Sequence, residues 1–197
     1  MVEFLTDMTT YFSDILNDAG ALAPFLSTLL IYLEGILAFL PLFVFVGINT
    51  VTMGPIIGNL LAWVATVLGC FTTFLLTSSI LSDWVYDHIK DNEKLLRFHD
   101  LVKNLKFRQL VLLIAIPFVP SFFMNVGAGL AKISKKKYFA ALLLGKIFVV
   151  IFLSYVCTSL IESITNPIKL LEVLGLVVAA YLIARIVNKK FNIDKEF

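Results

Sequence analysis

Two stretches, PLFVFVGINTVTMGP from Pro41 to Pro55 and PFVPSFFMNVGAGL from Pro117 to Leu130, decide how this chain folds. Both are apolar enough to lie inside a bilayer. Both are interrupted by helix breakers: Pro41, Gly54 and Pro55 in the first, Pro117, Pro120 and Gly129 in the second. Proline removes a backbone donor and glycine permits unwinding, and lipid tolerates such breaks only where protein or a wet cavity receives the freed polar groups. The stretches also match in outline. Pro41, Asn49 and Gly69 recur 76 residues later as Pro117, Asn125 and Gly145, and at the same offset Trp63 finds Phe139 and Ala65 finds Ala141. Broken segments in corresponding halves point to one site between them. The fold class expected is an all-α integral membrane protein: an inverted repeat with two re-entrant helical hairpins facing each other, plus spanning helices.

The bulk numbers agree with a membrane chain. Of 197 residues, 59% are hydrophobic and 15% charged, and Glu34 is the single charge between Asp18 and Asp83. Such runs exceed the roughly 20 residues a helix needs to cross about 30 Å of hydrocarbon. The longest polar stretch, from Ser82 to about Arg108, is too small for a separate water-soluble catalytic domain. All sixteen Lys and Arg lie at or beyond Lys90, and Met1 to Thr10 holds two acids, so no cleavable signal peptide is expected. Cys70 and Cys157 both sit in apolar spans and read as small buried hydrophobes.

Residues 1–20 alternate apolar and acidic positions at helical spacing, which predicts an amphipathic surface helix. Residues 21–187 form the single membrane domain and residues 188–197 a cytoplasmic tail. Within the domain, re-entrant hairpins are expected over about 33–55 and 109–131, with an apolar span over 56–81 between them. A polar surface helix is expected over 83–108, and two further spans over 138–160 and 168–186. Basic residues mark the cytoplasmic side. Six lie in 83–108, four in 132–137 and four from Arg185 onward, whereas 161–167 has none. All three basic stretches share a side only if 109–131 enters and leaves there. The carboxyl terminus is then cytoplasmic, and the side of the amino terminus stays open.

Glu34 lies thirteen residues into its apolar segment, roughly 20 Å along a helix at 1.5 Å per residue. A carboxylate at that depth suits proton coupling, and the competing reading is a cap on a short half-helix. Lys146 lies eight residues past Tyr138, and a lysine at mid-bilayer costs on the order of 2.5–3.5 kcal/mol unless something negative meets it. A phosphate headgroup or Glu34 would serve; a snorkelling structural lysine is the alternative. Asn49 and Asn125 occupy matching places, where an amide can satisfy the broken backbone or bind a headgroup. Lys132, Lys135, Lys136 and Lys137 form a basic patch suited to anionic lipid, although much of it marks topology. No metal site, cofactor or soluble-type active site is expected: His88 and His99 lack ligand spacing, and Asp83, Asp87, His88 and Asp91 read as a solvated face.

The run IPFVPSFFMNVGAGLAKIS, from Ile116 to Ser134, resembles the signature of the DedA superfamily, in particular its SNARE-associated Golgi or VTT-domain branch. Pro117, Pro120, Asn125, Gly129, Lys132, Ser134 and Tyr138 stand in the places of that pattern. Glu34 with Pro41 resembles the acid and proline of the family's first hairpin, and Gly145 its later helix glycine. The likeness covers about 32–160. Three positions depart from it, because charged residues common in the DedA branch are replaced here by Ile114, Pro120 and Cys70. The resemblance implies facing re-entrant hairpins and movement of phospholipids or polyprenyl-phosphate carriers between leaflets, tied in some members to the proton gradient.

The function expected is a transbilayer lipid translocase or scramblase in a bacterial cytoplasmic membrane, not an enzyme. The alternatives are a proton- or cation-coupled carrier of a small solute and a non-transporting membrane organiser. Membrane lipids, including anionic phospholipid or polyprenyl phosphate, are the expected partners. No nucleic acid is expected, and homo-oligomerisation stays open.

Overall fold

The computed structural model describes residues 20–37, 40–82, 84, 87, 99–100, 102–117, 121–163 and 167–190. The amphipathic segment expected before Gly20, most of the polar helix expected over 83–108, Pro120 and the tail beyond Lys190 lie outside the described residues. Among the described residues every regular element is helical. After a short 3-10 turn, Gly20–Leu22, come α1 (Ala23–Leu37), α2 (Leu42–Leu76) with a π-helical extension (Thr77–Leu81), α3 (Phe107–Ala115), α4 (Ser121–Leu130), α5 (Lys135–Glu162) and α6 (Pro167–Lys190).

The length of α2 hides a reversal. Gly54 takes φ 79° and ψ 164°, a conformation open to glycine and costly to other residues, and Pro55 follows as a fit first residue for a new helix. A Cβ on Gly58 would collide with the carbonyl of Asn49, nine residues earlier. In a straight helix that separation spans roughly 13.5 Å, so the chain turns back on itself at Gly54. The short arm, 42–53, also runs back along α1: Ser27 hydrogen-bonds Asn49, and Ile31 packs in one cluster with Phe45 and Val46. The first hairpin is therefore α1, a connection through Pro41, and the short arm. It begins about ten residues earlier than the 33–55 expected.

The second hairpin is α3, a connection through Pro117, and α4. Ile116, the residue before Pro117, is pushed to ψ 116°, which ends α3 as the proline's ring requires. Ser134 caps α5, accepting from the Lys137 amide at 3.3 Å. The Lys137 ammonium reaches the Leu105 carbonyl at 2.5 Å, so the chain leaves this hairpin beside the point where it started.

Corresponding places in the two halves pack alike. Gly35 of α1 meets Gly69 on the long arm of α2, where a Cβ on Gly35 would come 2.6 Å from the Cys70 nitrogen. Seventy-six residues on, a Cβ on Gly145 of α5 would lie 3.1 Å from the Val111 carbonyl of α3. Each hairpin's return arm also rests on the long helix of the other half: Gly47 against Cys157, and Gly129 against Phe74 and Thr77. The two long helices are pinned together by the Trp63 indole, which donates to the Leu143 carbonyl at 3.0 Å, and by Tyr138 stacked on Phe74 at 4.4 Å.

Polarity runs inside out. Glu34, Asn49, Thr66, Asn125, Lys146 and Ser154 are buried, while Phe25, Ile56, Leu60, Phe148, Leu171 and Val178 face outward. Hydrocarbon around the protein explains this distribution and water does not. Among the described residues, two helical stretches are long and apolar enough to cross a bilayer, Leu42–Leu81 and Lys135–Glu162. In the first, residues 55–81 beyond the Gly54 reversal already span roughly 40 Å.

Candidate functional site

The helical repeat of α5 puts Tyr138, Ala141, Leu142, Gly145, Lys146 and Val149 on one buried stripe, and Lys146 is only 1% exposed. Its ammonium donates to the Ser121 hydroxyl at 2.6 Å. Ser121 is the first residue of α4 and Asn125 lies one turn further along the same face. These three, with Leu113, Ile114 and Met124, line a cavity that has room for about one water molecule. Because Ser121 opens α4, the cavity lies at a helix amino end, where the first amides lack intrahelical acceptors and carry partial positive charge.

Behind the cavity, the Tyr138 hydroxyl donates to Asn125 Oδ1 at 2.7 Å. The other end of that amide, Nδ2, is buried with no hydrogen-bond partner among the described residues. Glu34 comes from the first half of the chain. It is 9% exposed, its Oε2 likewise has no partner among the described residues, and its charge and that of Lys146 act on each other. Thr66 Oγ1 is a third such buried atom, outside the cavity lining.

Of the residues singled out in the sequence, Lys146 and Asn125 share the cavity and Glu34 is electrostatically coupled to it. Asn49 is elsewhere. Its amide is used at both ends, with Ser27 on Oδ1 and Nδ2 donating to Thr28 Oγ1 at 3.0 Å. Its neighbour Thr50 bonds Asn59 and Ser154, each at 2.9 Å. One asparagine thus closes a hydrogen-bond network while its counterpart keeps open donors. Lys132, Lys135 and Lys136 are exposed near the amino end of α5, whereas Lys137 is half-buried and holds Leu105. Ser121 is a site residue that the sequence does not single out. The one signal for it was its place directly after Pro120, where a helix restarting past a break needs a small polar residue.

The VTT domain family matches residues 36–159, which is more than half of the chain. This chain is a VTT-domain protein. The match bears out the resemblance to the DedA superfamily drawn from the Pro117 signature, and with the outward-facing apolar surface it makes the chain an integral membrane protein. The VTT-domain protein is also similar to "Uncharacterized membrane protein YhjE" of Bacillus subtilis (strain 168). The two are 29% identical over 167 residues, covering 84% of this chain and 81% of that one. No solved structure matches.

Proposed function

We propose that this VTT-domain protein moves lipids between leaflets, as a translocase or scramblase for phospholipid or polyprenyl-phosphate carrier. The observation that carries the reading is Lys146: a lysine 1% exposed, held by Ser121, beside the open Nδ2 of Asn125 and within the field of Glu34. Such a group is costly in a membrane interior unless an anion visits it. A headgroup phosphate supplies that anion, and α4's amino end adds partial positive charge.

The surrounding architecture favours a path for headgroups. The helices of the hairpins are short: 15 residues in α1, 9 in α3 and 10 in α4, or roughly 22, 14 and 15 Å. None crosses about 30 Å of hydrocarbon alone. We therefore read both hairpins as re-entrant, entering from opposite faces as an inverted repeat. The matched crossings at Gly35/Gly69 and Val111/Gly145 support this reading, as does the return of Lys137 to Leu105. Where half-spanning hairpins meet, polar groups form a seam along which a headgroup crosses while its acyl tails stay in hydrocarbon. Glu34 loads or releases the proton that balances the passing charge. Lys132, Lys135 and Lys136 draw anionic lipid to the cytoplasmic mouth.

The test is purified protein in liposomes carrying a fluorescent phospholipid in one leaflet. Lipid movement without solute uptake is expected. Solute uptake without lipid movement would favour a coupled carrier, and neither would favour an organiser. Lys146→Met and Glu34→Gln should each slow lipid movement by about tenfold, one lost charge-assisted hydrogen bond being worth on the order of 1.5–3 kcal/mol. Full rates in both variants would remove the site assignment.

A further inference from the structure

The side chains around the cavity differ in what they can offer a ligand. Ser121 accepts from Lys146, and among the described residues its own hydroxyl proton has no acceptor. Lys146 keeps further N–H groups, and Asn125 Nδ2 keeps both of its own. Leu113, Ile114 and Met124 complete the lining with side chains that carry no strong acceptor. Beside the Ser121 hydroxyl, whose oxygen already accepts from Lys146, the Asn125 amide is the group that presents a donor or an acceptor depending on which way it is turned. Asn125 is 1% exposed and lies between Tyr138 and the cavity.

Tyr138 is fully buried, and Asn125 is its hydroxyl's partner among the described residues. A buried hydroxyl proton needs an acceptor, so it takes Oδ1 and leaves Nδ2 as the end of the amide available to the cavity. The matching asparagine has no such partner: Ala62 stands where Tyr138 would be, 76 residues earlier, and Ser27 and Thr28 consume both ends of the Asn49 amide.

We infer that Tyr138 is a specificity-determining residue: by holding the Asn125 amide it turns a second donor toward the cavity beside that of Lys146, and so selects an amphiphile whose headgroup inserts a phosphate oxygen over one bearing a cation. The inference rests on the headgroup reading above and names the residue that sets its sign. With room for about one water-sized atom, the cavity takes a single oxygen of the headgroup, not the whole group.

The experiment uses the full chain in neutral maltoside micelles, with dodecyl phosphate and dodecyltrimethylammonium as probes of equal tail and opposite head. Affinity for each is measured alongside the thermal unfolding midpoint. The wild type should prefer dodecyl phosphate. Tyr138→Phe keeps the ring on Phe74 but frees the amide, and should shrink that preference about fivefold, the worth of one hydrogen bond. Asn125→Asp keeps the tyrosine's acceptor and exchanges the cavity donor for an acceptor, so it should shrink the preference further. It also decides the matter if Tyr138→Phe does not fold.

A preference lost in Lys146→Met but unchanged in Tyr138→Phe and Asn125→Asp overturns the inference and leaves the headgroup site standing. No preference in the wild type sinks the headgroup site and the inference with it. Inorganic phosphate raising the midpoint as strongly as dodecyl phosphate does would assign the cavity to a soluble anion. In that case the lipid reading falls and the role of Tyr138 survives.

Discussion

Lys146 and Glu34 come from opposite halves of the chain, yet each supplies what the other lacks. A lysine 1% exposed needs negative charge nearby, and a carboxylate 9% exposed with one oxygen unpartnered among the described residues needs a donor or a proton. Among the described residues the two make no direct ion pair and act on each other through space, so removing one leaves the other less compensated, at a cost on the order of 1 kcal/mol, and removing both costs less than the sum. Lys146→Met should therefore lower the unfolding midpoint in detergent, and Lys146→Met with Glu34→Gln should lower it by less than the two single losses together. Additive losses would show that the two charges do not act on each other. The sequence alone made both residues conspicuous, because a lone charge in an apolar run stands out. It could not show Ser121 beside Lys146, since serine is unremarkable in a helix and its significance is a contact across 25 residues. Nor could it separate Asn49 from Asn125. Their local sequences match in outline, and the difference lies in long-range neighbours: Ser27 and Thr28 around one, Tyr138 and Lys146 around the other.

At the level of elements, the breakers were legible and their geometry was not. Pro41 and Pro117 mark the tips of the hairpins, as their rings and missing amides require. Gly54 reads in the sequence as a helix breaker, and in the structure it reverses the chain. With φ 79° and ψ 164°, it occupies a region almost closed to side-chain-bearing residues. Gly54→Ala should cost about 1–3 kcal/mol through backbone strain alone, because open space surrounds the missing Cβ. Equilibrium unfolding in mixed micelles checks this, and a neutral result would mean the turn adopts another conformation. Gly69→Leu acts by a different route. Its side chain would be driven into the Tyr32 carbonyl, and α1 would separate from the long arm together with the Thr73 hydroxyl bond to the Gly35 carbonyl at 2.6 Å. Such overpacking costs typically 1–3 kcal/mol, and here it should also loosen Glu34, one residue from the crossing. Lipid movement should then fall along with the unfolding midpoint in Gly69→Leu, while in Gly54→Ala only the midpoint should fall.

For the molecule as a whole, the question is which faces the hairpins open on. The basic residues on either side of the second hairpin, Lys103, Lys106 and Arg108 before it and Lys132 to Lys137 after it, belong on one side of the bilayer by the charge rule. The Lys137 bond to the Leu105 carbonyl brings those two stretches together in space. On the re-entrant reading proposed above, two arms of roughly 14 and 15 Å dip into the bilayer and return without crossing it. At the far end of α5, Glu162, Lys169 and Glu172 form an ion-pair cluster, with Lys169 2.9 Å from Glu172, and Lys137 lies near the opposite end of that 28-residue helix. Single cysteines at Lys106, Lys136 and Glu172, placed in a chain with Cys70→Ala and Cys157→Ala, turn this arrangement into a measurement. In sealed vesicles of one orientation, an impermeant maleimide should label positions 106 and 136 from the same face and position 172 only from the other. If 106 and 136 label from opposite faces, then α3 and α4 together make one crossing, the repeat loses its inversion, and the cavity at Lys146 no longer lies where two half-spanning hairpins meet.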